Sequence, residues 1–298
     1  MAAPCGREGD DGMKQNLLAQ ITAQMRDFSK GQRLIAQYIL EHYDRAAYMT
    51  ASRLGALVAV SESTVVRFAN ELGFAGYPEM QRALQELART SLTAAQRMEV
   101  ADNLLDPQNV LDKVLGSDAD KIRHTLESID RAAFDAAVAK IVSARNIYIL
   151  GVRSSAALAE FLTFNFRMMF DNVRAVEAKT GSEIFEQLLG IGPEDVFIAI
   201  SFPRYSKRTV SAVEFAHDAG ADVVALTDSV ASPLAKKCDQ LLTARSDMAS
   251  FVDSLVAPLS IINAMVAAVS MRRPDEVAGR LRRLEQIWDE YDVYDKNN

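Results

Sequence analysis

Cysteine is nearly absent from this sequence: Cys5 and Cys238 are the only two, far apart and in no metal-binding or redox spacing. That excludes a zinc knuckle, a CxxC pair and a disulfide scaffold. It leads us to expect reduced thiols, a cytoplasmic location and no metal. Long apolar runs are lacking as well. The longest candidate, Leu255–Val269, is broken by Pro258, Ser260 and Asn263 and reads as a buried helix, not a membrane span. The first dozen residues have no apolar centre, so they do not read as a secretory signal. A disordered tail over 1–12 is expected there, with Met13 a candidate start.

What is present suits two ordinary domains. The chain has 298 residues, 49% of them hydrophobic and 24% charged, which is the balance of a soluble globular protein with room for two cores. The formal net charge of −7 is unevenly spread. Residues 13–90 hold nine Lys/Arg against seven Asp/Glu, whereas residues 91–298 hold 23 against 30. A small positive module beside an acidic remainder can attract phosphates while limiting non-specific association.

The module over 13–90 reads as helical. Ser29 followed by Gln32 is a capping-box pattern, and Leu34, Ile35, Tyr38 and Ile39 then form an apolar stripe. A second helix is expected after Thr50, with Leu54, Leu57 and Val58 inward. The turn Ala59-Val60 leads to Ser61, an N-cap for a third helix whose Val65, Phe68, Ala69 and Leu72 recur at helical spacing before Gly73 stops it. Ala59 stands at a turn position where glycine is often found. Pro78 is expected at the first position of a fourth helix running through Leu87.

With Val65, Phe68 and Leu72 inward, the third helix presents Ser61, Ser63, Thr64, Arg67 and Asn70 outward. Short or forked hydrogen-bonding side chains near a helix N-terminus suit phosphates and base edges in a major groove. Spacing alone leaves a second reading open, an ordinary amphipathic helix with a solvated face. The segments Ser61–Phe68 and Leu72–Tyr77 go further: they resemble the "S-x-S-T-V-x-R-F" and "L-G-F-x-G-aromatic" runs of the RpiR family of bacterial regulators. The resemblance implies a helix-turn-helix that binds double-stranded DNA.

Residues 91–130 read as a helical connection broken near Asp106-Pro107. From 131 to 298 short β-rich runs alternate with helical stretches. Strands are expected at Asn146–Leu150, Val173–Glu177, Val196–Ile200, Asp222–Thr227 and Gln240–Thr243. Runs as apolar as Val196–Ile200 are buried on both faces, and the helices between them imply parallel pairing. The fold class is therefore an all-α helix-turn-helix domain followed by a doubly wound, five-stranded parallel α/β domain.

Such sheets bind ligands outside the carboxyl ends of the strands, where strand order reverses. Two polar loops stand at strand ends: Gly151–Ser155 after the first, and Ser201–Thr209 after the third. Hydroxyls and free backbone N–H groups at helix starts can hold a phosphate dianion, and Arg204, Lys207 and Arg208 add positive charge. The bland reading is that Ser154, Ser155 and Ser206 only cap helices. Residues 135–270 resemble a sugar isomerase (SIS) domain, which implies phosphosugar binding. Carried over, the similarity puts Ser201, Ser206 and Thr209 around the phosphate, with Ser154 and Ser155 facing them; Asp228 and the Ser250–Asp253 segment also fit. Arg153 replaces a glycine common in the first loop, and the second loop is longer than the "S-x-S-G-x-T" of the enzymes. The expected ligand set is Arg153, Ser154, Ser155, Ser201, Arg204, Tyr205, Ser206, Thr209 and Asp253.

Catalysis is not expected. His42, His124 and His217 stand away from both loops, Glu214 and Asp253 read as caps or hydroxyl acceptors, and no nucleophile–base pair is visible. Gly151 alone, where three spaced glycines are wanted, excludes a nicotinamide site, and no cofactor is expected. The sequence therefore points to a regulator of a carbohydrate-use operon, a repressor as the better guess. A phosphosugar or sugar-acid effector would control it, and it would act as a homodimer or homotetramer on an inverted-repeat operator, with no membrane partner. The last helix, near Asp275–Tyr291 with Val277, Leu281, Leu284 and Ile287 inward, either joins the dimer contact or covers its own sheet. The alternative function is a sugar-phosphate isomerase or another phosphosugar-processing enzyme.

Overall fold

A computed structural model of the chain describes residues 16–88, 93, 95–98, 108–177, 182–248 and 250–294. The expected tail, Met13 and the break at Asp106-Pro107 lie outside them. The chain divides into two compact units: residues as far as Gln108 together with Ser250–Val252, and Asn109–Ala249 with the chain from Asp253 onward.

The first unit is helical: α1 (Asn16–Ala23), α2 (Lys30–Ala46), α3 (Ala51–Leu57), α4 (Glu62–Glu71) and α5 (Tyr77–Ala88). Three of these helices start on hydroxyl caps that satisfy otherwise free N–H groups. Ser29 accepts from the Gln32 amide while the Gln32 side chain accepts from the Ser29 amide at 2.9 Å, closing the capping box. Thr50 accepts from Arg53 N and Ser61 from Thr64 N. Ile35, Ile39, Leu54, Val65, Phe68, Ala69, Leu72, Met80 and Leu84 form the core, where Phe28 meets Phe68 edge-on at 5.0 Å.

Sequence spacing misjudged a few positions here. Helix α1 gave no cap signal, yet Leu17 and Ile21 bury one face of it. Leu34 and Leu57 are exposed, and Val58 is half-buried. The buried face of α2 is Gln32, Ile35, Ala36 and Ile39, and at 100° per residue Leu34 falls on the far side. In α3 the same arithmetic about Ala51, Leu54 and Gly55 turns Leu57 outward. Tyr77, not Pro78, begins α5, and its hydroxyl donates to Met49 O at 2.7 Å.

The second unit begins with α6 (Val110–Ser128) and α7 (Arg131–Ser143). It then runs β1 (Ile147–Gly151), α8 (Ser154–Met169), β2 (Val173–Ala175), α9 (Glu183–Gln187), β3 (Val196–Ile200), α10 (Lys207–Asp218) and β4 (Asp222–Thr227). A 3-10 turn at Pro233–Lys237, β5 (Gln240–Thr243), α11 (Val256–Arg272) and α12 (Pro274–Glu290) complete it. All strand pairs are parallel and the sheet order is β2-β1-β3-β4-β5. Alternate strand residues feed two layers. Ile149, Ile198 and Leu226 pack under α7, α8 and α11, while Leu150, Phe197 and Val223 pack under α9 and α10.

Helix α11 takes up the apolar run expected to be a buried helix, and no helix among the described residues is long and apolar enough to cross a membrane. Helix α12 lies on α8. Of the four residues expected inward, Val277 is buried, Leu284 and Ile287 are half-buried, and Leu281 is exposed. Arg280 explains the shallow seat: its guanidinium donates to the Arg167 and Met168 carbonyls at 3.3 Å, holding α12 to the C-terminal end of α8.

The amino-terminal rim of the sheet is tied by Asp195, which is buried. It accepts from Arg145 Nε at 3.0 Å, Asn146 Nδ2 at 2.9 Å and Gly192 N at 2.9 Å. Burial pushes its carboxyl up, but these donors outweigh burial and hold it below the usual carboxylate range.

Candidate DNA-binding and effector sites

The first site is the exposed face of α4. The α3–α4 turn is closed by Val60 N donating to Gly55 O at 2.8 Å, and a Cβ on Gly55 would stand 2.8 Å from Val60 O. Only glycine permits that approach. Ala59 takes φ 56°, the left-handed conformation that explains why glycine is common there. So positioned, Ser61, Ser63, Arg67 and Asn70 are exposed and Thr64 is half-buried. Ser61 Oγ lies 2.9 Å from Ser63 Oγ and 2.8 Å from Thr64 Oγ1, and Arg67 Nε donates to Ser63 O at 3.2 Å. Glu62 and Val66, which sequence reasoning passed over, share a shallow hollow with Ser63 and Arg67.

The second site is the carboxyl rim of the sheet. Strand order reverses between β1 and β3, and Gly151 pairs with Ile200, so the loops Val152–Ser155 and Ser201–Ser206 leave adjacent strands at one level. A Cβ on Gly151 would overlap the Ser155 carbonyl and stand 2.9 Å from Ala159 Cβ, so glycine lets α8 start close to the strand. Each loop holds an arginine in left-handed backbone, Arg153 at φ 60° and Arg204 at φ 63°. That accounts for the glycine usual at Arg153, and a non-glycine residue in such sparsely populated backbone costs on the order of 1–3 kcal/mol.

The N-cap positions of α8 and α10, Arg153 and Ser206, make no side-chain cap hydrogen bond, in contrast to those of α2, α3 and α4. Thr209, in the first turn of α10, is fully buried, and its Oγ1 has no hydrogen-bond partner. Two unfilled helix N-termini and an unsatisfied hydroxyl suit an anion. Beside them Tyr205 donates to Asp228 Oδ1 at 2.6 Å, and Thr227 Oγ1 contacts Ser232 Oγ at 2.8 Å. Register thus gathers Arg153, Ser154, Ser155, Ser201, Arg204, Tyr205, Ser206 and Thr209 on one rim. Asp253 stands in the loop that follows β5, bridged to Met248.

A cavity of about 830 Å³ opens beside the first loop, lined by Val152, Arg153, Glu160, Thr163, Arg167, Glu177 and Trp288 among others. The volume suits a small-molecule ligand. Sequence reasoning missed all of these but Arg153. Glu160, Thr163 and Arg167 recur at i, i+3, i+7 in α8, a polar stripe within an apolar helix that was legible in principle. Glu214 lies on α10 and His217 in its last turn, His42 sits at a non-helical kink in α2, and His124 is on α6. Among the described residues no group of His, Cys, Asp and Glu could hold a metal.

A helix-turn-helix unit followed by a parallel α/β unit with loops gathered at its carboxyl rim is the build of a two-domain transcriptional regulator. Residues 15–91 match the helix-turn-helix domain of the rpiR family, and residues 140–268 match the SIS domain. The chain is 27% identical over 283 residues to the HTH-type transcriptional regulator HexR of Pseudomonas aeruginosa, covering 91% of this chain and 95% of that one. It is 25% identical over 281 residues to HexR of Escherichia coli K12, covering 91% and 93%. The sugar isomerase domain of an RpiR transcription factor from Sphaerobacter thermophilus superposes with a TM-score of 0.57 at 28% identity, covering 60% of this chain and 99% of that domain. Vibrio vulnificus NanR, solved with ManNAc-6P, shares the fold with a TM-score of 0.57 at 23% identity, covering 93% and 99%. The chain belongs to the RpiR family of helix-turn-helix regulators with a SIS domain, and it is a transcriptional regulator, not an enzyme.

Proposed function

We propose that this regulator represses a carbohydrate-use operon and that a phosphorylated sugar or sugar acid, bound at the rim between β1 and β3, controls its grip on DNA. The observation that carries the effector class is the pair of uncapped N-termini of α8 and α10 beside the unpartnered Thr209 hydroxyl. Ser154, Ser155, Ser201, Ser206 and Thr209 would surround the phosphate. Arg153 would reach from the rim into the adjoining cavity, where the rest of the ligand has room. ManNAc-6P in the V. vulnificus protein supports the same class.

Ser61, Ser63, Thr64, Arg67 and Asn70 would contact the operator. The acting form is a homodimer on an inverted repeat with half-sites about one helical turn, or a multiple of it, apart. The effector shifts DNA affinity only by its differential affinity for two arrangements of the dimer.

A thermal-shift screen of sugar phosphates and sugar acids tests the effector class, since a ligand of the folded state raises Tm by mass action. One hit that disappears in the Ser201→Ala/Ser206→Ala double variant is the expected result. A hit that persists there moves the effector elsewhere. Arg67→Ala should weaken operator binding with folding and ligand response intact; unchanged affinity removes Arg67 from the interface.

A further inference from the structure

We infer that α6 is where two copies of this chain meet, antiparallel across a two-fold axis, a reading that rests on the dimer proposed above. Helix α6 runs 19 residues, about 28 Å. Its inward residues are polar: Lys121 and Thr125 are buried, and Asp118 binds Lys121 Nζ at 3.2 Å and Ser254 Oγ at 2.6 Å. Val114 is half-buried beside them, while four larger apolar residues face out. Leu111 is 70% exposed, Leu115 59%, Ile122 38% and Leu126 60%. At 100° per residue these four fall within a 60° arc, an exposed stripe without a partner element among the described residues.

The occupant follows from the spacing. The intervals along the stripe are four, seven and four residues, so it reads alike from either end. A two-fold axis near Asp118–Ala119 sets Leu111 of one copy against Leu126 of the other, and Leu115 against Ile122. An isologous interface requires that self-complementarity. Shape agrees with it. Around Ile122 and Leu126 lies an apolar groove of about 240 Å³, walled by Ile129, Phe134 and Ile261, placed to receive the partner's Leu111.

Charge agrees too. Asp112 and Arg123 flank the stripe on the same side, and antiparallel helices pair like flanks, so Asp112 of each copy meets Arg123 of the other. Arg123 now holds only an exposed contact with Asp120. Ala119, small and exposed, lets the helices approach at the axis. Burying an aliphatic side chain removes on the order of 100 Å². The four residues of the stripe therefore hide roughly 230 Å² per copy, about half the apolar area of a standard interface before the groove walls are added.

Light scattering and cysteine crosslinking of the full chain test this. Leu115→Glu should halve the solution mass while leaving the melting transition in place, because Leu115 is exposed. In a Cys5→Ser/Cys238→Ser background, Ala119→Cys should form a disulfide-linked dimer on mild oxidation. Leu111→Cys alone should not, since its two copies would stand about 22 Å from the partner's equivalent position, but an equimolar mixture with Leu126→Cys should. A dimer mass that survives Leu115→Glu, with no Ala119→Cys crosslink, overturns this interface and leaves the dimer standing. A monomeric unmodified chain overturns both.

Discussion

Thr209→Val should make the free protein more stable and deaf to its effector. The threonine is fully buried in the first turn of α10, and its hydroxyl has no partner. A buried, unsatisfied hydroxyl costs about 1–3 kcal/mol, and valine keeps the branched shape and χ1 preference while deleting the oxygen. The substitution therefore recovers roughly 1–2 kcal/mol. At about 2–4 °C per kcal/mol for a unit of this size, Tm rises by several degrees. The same hydroxyl is proposed to donate to the anion, so the ligand-induced rise in Tm, worth about 2.7 kcal/mol at a hundredfold excess over Kd, should shrink or vanish. Thermal melts of the wild type and Thr209→Val, each with and without the effector, give both numbers. Ser206→Ala serves as control, since Ser206 is half-buried and its loss should give no stability gain. A Thr209→Val protein with unchanged or lower Tm would refute the reasoning.

Gly55→Ala drives a Cβ to within 2.8 Å of the Val60 carbonyl. It should cost about 1–3 kcal/mol and lower operator affinity by displacing α4, read by melting and by titration of operator DNA. Ala59→Gly acts in the opposite sense: it relieves a left-handed alanine at φ 56° and should be neutral to stabilising by less than about 1 kcal/mol, with DNA affinity kept. Asp195 titrates lower in the folded chain than unfolded, so its contribution to stability is present above about pH 4 and lost as pH falls through the lowered value. Asp195→Asn should reduce stability at neutral pH and flatten the fall in Tm below pH 4; an unchanged acid limb would show that the Arg145 network does not stabilise the fold.

The α/β unit was legible because parallel strands between two helix layers are apolar on both faces. Val196–Ile200, Asp222–Thr227 and Gln240–Thr243 come out at the expected residues, and β1 is shifted by one. The edge strand β2 stops at Ala175, short of the expected Glu177, although Val176 N still donates to Ile149 O at 2.9 Å. The loops at the switch point were legible as motifs, and register did the rest by pairing Gly151 with Ile200. The cavity was not. Its walls join Arg153 to Trp288, and no local pattern connects residues so far apart in sequence. Leu34 and Leu57 show the other limit: an apolar residue near a stripe is easily counted into it when the angle is not worked out.

The hydroxyl triad at the start of α4 bears on how an operator would be held. Ser61, Ser63 and Thr64 already satisfy one another in the free chain. Meeting a phosphate or a base edge would then be a swap of partners, not a first bond, and the net return per hydroxyl is small. Arg67 is the only cation in α4, so few counterions would leave with each half-site and the salt dependence contributed by this helix should be shallow. A single unit would therefore hold DNA loosely. Tight binding would arise from tethering two such units at the right separation, so a change in that separation of a few ångströms would be enough to release the operator.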